Sequence, residues 1–177
     1  QRIADQANRY LALLDDHQRR QVLIAFDSAN RVDWHYIPRS RSGLSLGEMN
    51  PAQADAARVL FATVLNERGL RLLDGVRLLE GVLREQQGGW RDPGRYYLSV
   101  FGMPGRVPWA WRFEGHHLSL NVALPAPGQI AVTPFFVGAH PAAVRDGPNK
   151  GFRLLGGAED LARQIMARHT AAQRRAA

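Results

Sequence analysis

Apolar residues in this chain recur every three or four positions up to Gly88–Gly89 and mostly every two positions beyond it. That single change of period predicts helices first and strands second, an order that a doubly wound βαβ sheet does not have. Ile3, Ala7, Tyr10, Leu11, Leu14, Val22, Ala25 and Phe26 lay out an amphipathic helix from Ile3 to about Phe26, broken near Asp15–Asp16. Asn50 is a good N-cap, Pro51 suits the first helical position and Gln53 completes the pattern three residues on. The helix they open is expected to run to about Glu67, with Gly69 as its stop. A third helix is expected from Leu70 to Glu85, apolar at 72, 73, 76, 79 and 83, and it forms a short antiparallel hairpin with the second. Strands are expected at Tyr96–Phe101, Trp109–Phe113, His117–Leu124 and Ile130–Val137, paired mainly antiparallel because the gaps between them are short. Helical spacing returns from Leu155 to His169.

The expected fold is therefore α+β: N-terminal helices packed with a small, mainly antiparallel sheet, and a C-terminal helix. Its 177 residues suit a single domain, 1–177, with a mostly helical part at 1–90, a sheet part at 91–140 and a helix at 152–170. Ser28 to Gly47 lacks either period and reads as an extended, ordered surface loop, while Ala171 to Ala177 reads as a fraying end or the start of a linker. The absence of cysteine excludes disulfide scaffolds, thiol chemistry, iron–sulfur clusters and Cys-ligated zinc. No apolar run approaches the roughly 20 residues of a membrane-spanning helix. Basic residues outnumber acidic ones by 23 to 16, for a net charge of +7. The arginines are spread along the whole chain, Lys150 is the only lysine, and there is no basic run, so a nucleic-acid partner is not expected. Phosphate-loop, dinucleotide, nucleophile-turn and zinc-helix motifs are absent.

Chemistry-bearing side chains are densest between Pro108 and Asn121. Arg112, Glu114, His116, His117, Ser119 and Asn121 fall within ten residues, next to Trp109, Trp111 and Phe113. On an unbroken strand one face holds Arg112, Glu114, His116, Leu118 and Leu120, and the other Trp109, Trp111, Phe113, His117, Ser119 and Asn121. Adjacent His116 and His117 then cannot easily chelate one ion, unless Gly115 supplies a bulge. Glu114 and His116 share a face about 6.6 Å apart and can be two corners of a metal site, with His140 or His35 as the third ligand. The structural alternative is a hydrogen-bonded core histidine and a Glu114–Arg112 ion pair. Trp34-His35-Tyr36-Ile37-Pro38-Arg39 lies in a loop, where it either lines a pocket rimmed by Arg39 and Arg41 or clamps the loop to the core. Arg106 follows a tight Phe101–Gly105 turn at the sheet edge, placed for an anionic substrate or for an acidic neighbour.

The same residues carry a family likeness. Trp34-His35-Tyr36-Ile37-Pro38 through Arg41-x-Gly43-Leu44, then Arg91-Asp92-Pro93 with Tyr96-Tyr97 and Phe101-Gly102, resemble a bacterial and fungal family, DUF3500, a domain of unknown function. So do Trp109-x-Trp111-Arg112-Phe113-Glu114-Gly115-His116-His117-Leu118-Ser119-Leu120-Asn121 and Thr133-Pro134-x-Phe136-x-Gly138-Ala139-x-Pro141. The likeness covers the chain from about residue 20 onward. It brings no established reaction. Members are commonly longer, with a later His-x-His segment followed by Trp-Arg that does not occur here, so the resemblance implies a short homologue or the front part of a longer protein. Some members look exported, and the start without Met leaves both cytoplasmic and periplasmic locations open.

The expected function is a metal-dependent enzyme, an oxidoreductase or hydrolase acting on a small polar or anionic substrate. One divalent ion (Fe, Zn or Mn, with Cu not excluded) would be held by His116, with His117, Glu114 and His140 as further ligands. Arg112, Glu114 and His117 are the catalytic candidates, Arg112 or Arg106 neutralising substrate charge. Trp34, His35, Arg39, Arg106, Trp109, Trp111 and Asn121 are the ligand-binding candidates, and Ser119 and Asn121 would order the surrounding network. Two other readings stand beside it. One is a non-catalytic module with an aromatic pocket of Trp34, Tyr36, Trp109 and Trp111. The other is an interaction domain completed by another copy of itself or by a missing C-terminal half.

Overall fold

The computed structural model describes residues 1–176. Helix α1 (Arg2–Ala12) buries Ile3, Ala4, Ala7, Tyr10 and Leu11, the expected stripe. The chain breaks where Asp15 caps α2 (Asp16–Val22): its side chain accepts the Gln18 amide at 2.8 Å and its own amide donates back to the Gln18 side chain at 3.3 Å. The helix stops earlier than the period suggests. Leu23 and Ile24 leave it as strand β1, because the free edge of the sheet offers their backbone partners.

Helix α3 (Pro51–Phe61) opens with the Asn50–Gln53 box the sequence announces. Gln53 is itself buried and also donates to the Leu13 carbonyl at 2.9 Å, tying the end of α1 to the start of α3. The expectation that this helix reaches Glu67 and stops at Gly69 is corrected. It ends at Phe61, and Asn66 caps α4 (Glu67–Gln87) by accepting the Gly69 amide at 3.0 Å. Gly69 therefore belongs to the first turn of the next helix.

Strand β2 is Leu44–Ser45, β3 Tyr97–Phe101, β4 Trp109–Gly115, β5 Leu118–Leu124 and β6 Phe135–Val137. The order is β1-β3-β4-β5-β6, all antiparallel except β1, which runs parallel to β3; β2 covers the other half of the same β3 edge. The expected strand at Ile130–Val137 is shorter, with an isolated bridge between Ala131 and Ala123 ahead of β6.

One sheet face carries Leu98, Val100, Trp109, Trp111, Phe113, Leu118, Leu120 and Val122 into the main core with α1 and α3. Phe61 stacks on Trp111 and Phe113 at centroid distances of 5.7 and 4.4 Å. Each such ring contributes about 1.5–3 kcal/mol by leaving water. Helix α4 adds Leu73 and Val76 to that core and packs Leu79 and Val82 against Val144 in a satellite. Helix α5 (Gly156–Arg168) forms as expected, but buries only Gly156. It leaves Leu161 and Ile165 exposed and is fastened at its start by Arg153 bonded to Glu159 and Asp160. Ala171–Ala176 form a short exposed helix, α6, rather than a frayed end; Ala177 lies outside the described residues.

Candidate functional site

Of the two alternatives left open at Gly115, an unbroken strand or a bend, the structure has a bend. Gly115 pairs with Leu118, so His116 and His117 are the two-residue turn of the β4–β5 hairpin. The turn restores the register across it: Glu114 sits opposite Ser119 and Arg112 opposite Asn121, all four on one face, while Trp109, Trp111 and Phe113 point to the other. His117 closes the turn with a left-handed backbone, φ 57°, which a histidine adopts more readily than a branched residue does. Its amide donates to the Tyr36 carbonyl and its carbonyl accepts from the Gly138 amide, each at 2.8 Å. A Cβ at 138 would come within 3.0–3.3 Å of the His117 side chain, so glycine there keeps the ring's space. Three distant segments thus meet at the turn: the Trp34–Arg41 loop, the hairpin itself and the strand end at 136–140.

That meeting brings three histidines together. The rings of His116 and His117 stack at 4.2 Å, and His140 stands edge-on to them at 6.4 and 6.0 Å. Burial, with His116 and His140 beside it, pulls His117 down to a pKa of about 4, so its ring is neutral at pH 7. Its Nδ1 is buried without a partner. His116 is held differently. Glu80, buried on α4, places Oε2 2.6 Å from its Nδ1. The carboxylate takes the Nδ1 proton as its hydrogen bond, and in the neutral ring this tautomer leaves the lone pair on Nε2. Arg91 lies 3.7 Å from the other Glu80 oxygen. Its Nη1 is 3.2 Å from one His116 ring nitrogen and 3.4 Å from the other. A position nearly equidistant from both nitrogens lies over the ring face, on neither lone pair. The Tyr96 hydroxyl, whose pKa burial pushes up, donates to the His116 carbonyl at 3.0 Å. Together with Trp90, Asp92, Arg95 and the loop residues Arg39 to Arg41, Glu80 and His116 line a cleft of about 230 Å³.

Glu114 is the expected ligand that the fold keeps elsewhere. It is buried on the loop-covered face between Arg112 Nε at 2.8 Å and Arg41 Nε at 3.4 Å, and the His35 amide approaches it at 3.4 Å. Both arginines spend terminal nitrogens on the loop, Arg112 on the Asn30 and Arg31 carbonyls and Arg41 on those of His35, Ile37 and Arg39. Arg41 also reaches the Gly115 carbonyl at the end of β4. Burial pulls both guanidinium groups below their ordinary pKa, and Glu114 opposes that. Arg112 and Glu114 thus pin the loop in place. Among the described residues no group of three or more His, Cys, Asp or Glu side chains is arranged to hold a metal ion.

The remaining candidates lie outside the histidine cluster, and some of them share another cavity. Trp109 and Trp111 are core residues on the helix face. Trp34 packs on Phe136 at 5.9 Å and, with Trp111, Arg112 and Asn121, lines a cavity of about 150 Å³. Asn121 donates to Ser119 Oγ and the Pro134 carbonyl, both at 2.9 Å. His35 bonds Asp33, which Arg39 also approaches at 3.5 Å, while Arg106 sits exposed in its turn, away from these clefts. Sequence reasoning missed Glu80, Arg91 and Tyr96. For Glu80 a signal existed: it is the one acid next to the apolar positions 76, 79 and 83 on the inner face of α4.

A family model described as a protein of unknown function, DUF3500, matches residues 1–177. No curated protein and no solved structure matches the chain at significance. No described helix is long and apolar enough to cross a membrane.

Proposed function

This chain belongs to DUF3500, a family of proteins of unknown function, and we propose that it binds a small polar or anionic molecule in the His116 cleft and moves a proton there. The observation that carries this reading is the buried Glu80 carboxylate 2.6 Å from Nδ1 of His116. Fixing the proton on Nδ1 leaves Nε2 as the atom that accepts a proton from substrate or water and returns it, as a general base and acid must. Trp90, Arg39 and Arg95 line the same cleft and supply a ring face and positive charge. Activation of water, as in a hydrolase, needs no group beyond these. A positioned acid–base residue contributes about 10²–10⁴-fold to a rate, so His116→Ala should cost that much in turnover. The reading is tested by following histidine ring ¹H–¹⁵N signals while pools of small carboxylates, esters and phosphoesters are added. Movement of the His116 signals, abolished in Glu80→Gln, supports it. Pools that never move His116, or turnover unchanged in His116→Ala, would sink it; binding without turnover would leave the non-catalytic module.

A second reading places one divalent metal ion at the same turn. It is favoured by the three clustered histidine rings and by the buried, partnerless Nδ1 of His117. The exposed His140 would have to turn inward, and Glu80 would be the outer partner that orients His116. Elemental analysis of the tag-free chain tests this reading. Near-stoichiometric Fe, Zn, Mn or Cu that falls in a His117→Asn variant supports it; metal content indifferent to all three histidines removes it.

A further inference from the structure

The loop-covered face of the sheet buries more positive charge than negative. The side chains of Arg41 and Arg112 are only 4% and 2% exposed, and the one carboxylate buried with them is Glu114. Asp33 is nearby but half exposed, and it is already engaged by His35 and Arg39. The carbonyls that bond the two guanidinium groups satisfy N–H donors without cancelling charge. Both Nε atoms are buried with no aligned acceptor, although the carboxylate lies close to each. Asp33 also acts on Arg112 through space, so three guanidinium groups (Arg39, Arg41 and Arg112) face two carboxylates here, and one positive charge is left unbalanced in a largely buried setting, which is unfavourable.

These groups, the Glu114 and Asp33 carboxylates included, line a cavity of about 170 Å³ together with Asn30, His35, Arg39, Ser40 and Ser42. Ser42 Oγ accepts from the Asn30 side-chain Nδ2 at 2.7 Å, so its own O–H remains free to donate. We infer that this cavity is an oxyanion site, which takes a carboxylate or phosphate group of a small ligand. Arg39 and the serine hydroxyls bond the anion, and the surplus charge of Arg41 and Arg112 lies behind it. The cavity shares Arg39, Ser40 and Arg41 with the His116 cleft but does not contain His116. The oxyanion site therefore stands or falls separately from the proton-transfer reading.

Inorganic phosphate and sodium acetate, titrated separately into the intact chain in low-salt buffer and followed by thermal unfolding and calorimetry, test it. A saturable stabilisation is expected from at least one of them and not from chloride at equal ionic strength. Arg39→Met and Ser42→Ala should each weaken that binding by about tenfold, the loss expected for one charge-assisted bond or more. His116→Ala should leave it unchanged. Three results would overturn the inference: no effect beyond chloride, equal affinity in both Arg39→Met and Ser42→Ala, or a loss in His116→Ala that Ser42→Ala does not share. The last would move the anion into the histidine cleft. Because Ser42 is small, its variant keeps the test informative should Arg39→Met unfold the loop.

Discussion

Replacing Gly115 with alanine should unfasten the histidine turn, and the cost can be worked from the packing around it. A Cβ at this position would come within 2.6 Å of Cε1 and 2.8 Å of Cγ of Tyr96, and closer still to Cδ1. The ring cannot retreat: Tyr96 is fully buried and Phe113 stands 6.2 Å away with Phe61 stacked behind it. Forcing a methyl group into a packed site costs about 1–3 kcal/mol. A displaced Tyr96 also gives up its bond to the His116 carbonyl, for about 1 kcal/mol more. The expected destabilisation is about 2–4 kcal/mol, which at a slope near 2 kcal/mol per molar lowers the urea midpoint by about 1–2 M. Gly81→Ala is the control. It lies in the middle of α4 with nothing within 4 Å of an added Cβ, so it should be neutral or stabilise by about 0.5–1 kcal/mol. A double-mutant cycle with Tyr96→Leu isolates the clash, and the cost of Gly115→Ala should fall by about 1 kcal/mol or more in that background. If Gly115→Ala lies within about 0.5 kcal/mol of the parent, or its cost is the same beside Leu at 96, the steric account is wrong.

Three further outcomes follow from the same geometry. The folded-state pKa of His117, about 4, lies below the ordinary 6.5, so on acidification the unfolded chain binds the proton first and stability is lost between pH 6.5 and 4. His117→Asn, which tolerates the left-handed backbone, should flatten that loss by about 1–2 kcal/mol after allowance for the ring's partial exposure; parallel pH–stability curves would refute it. Glu114→Gln strands two buried guanidinium groups and should cost about 3–5 kcal/mol in urea unfolding, whereas a change below 1 kcal/mol would mean that Glu114 is not their counter-charge. Glu80→Gln should likewise cost about 3 kcal/mol and exposed Glu85→Gln almost nothing; equal effects would remove the buried Glu80–His116–Arg91 link.

How much of this was legible in sequence depends on how local the deciding interaction is. The Asn50–Gln53 cap and the stripe of α1 are decided within a few residues, and they were read correctly. The end of α3 was missed because Ala62 to Leu65 keep an acceptable helical composition, while Thr63 turns its hydroxyl back to the Leu60 carbonyl and Asn66 restarts the chain as a new helix. Leu23 and Ile24 continue a helical pattern, and only the free edge of β3, more than seventy residues away, makes them a strand. The hairpin turn was hidden for another reason. Two-residue turns usually announce themselves with Gly or Asn, and His116–His117 has neither, so the pair reads as two alternating strand positions. Strict alternation puts Glu114 beside His116 as a corner of a metal site, with the Glu114–Arg112 ion pair as the alternative, and it is the ion pair that the fold forms. The carboxylate that meets His116 comes instead from α4. A lone acid on the otherwise apolar buried face of a helix has to find a partner, and Glu80 found the histidine that the turn directs toward α4. An unpaired acid at a core position is therefore the sequence signal that leads to this site, and a motif of adjacent histidines becomes informative only once the partner of that acid is known.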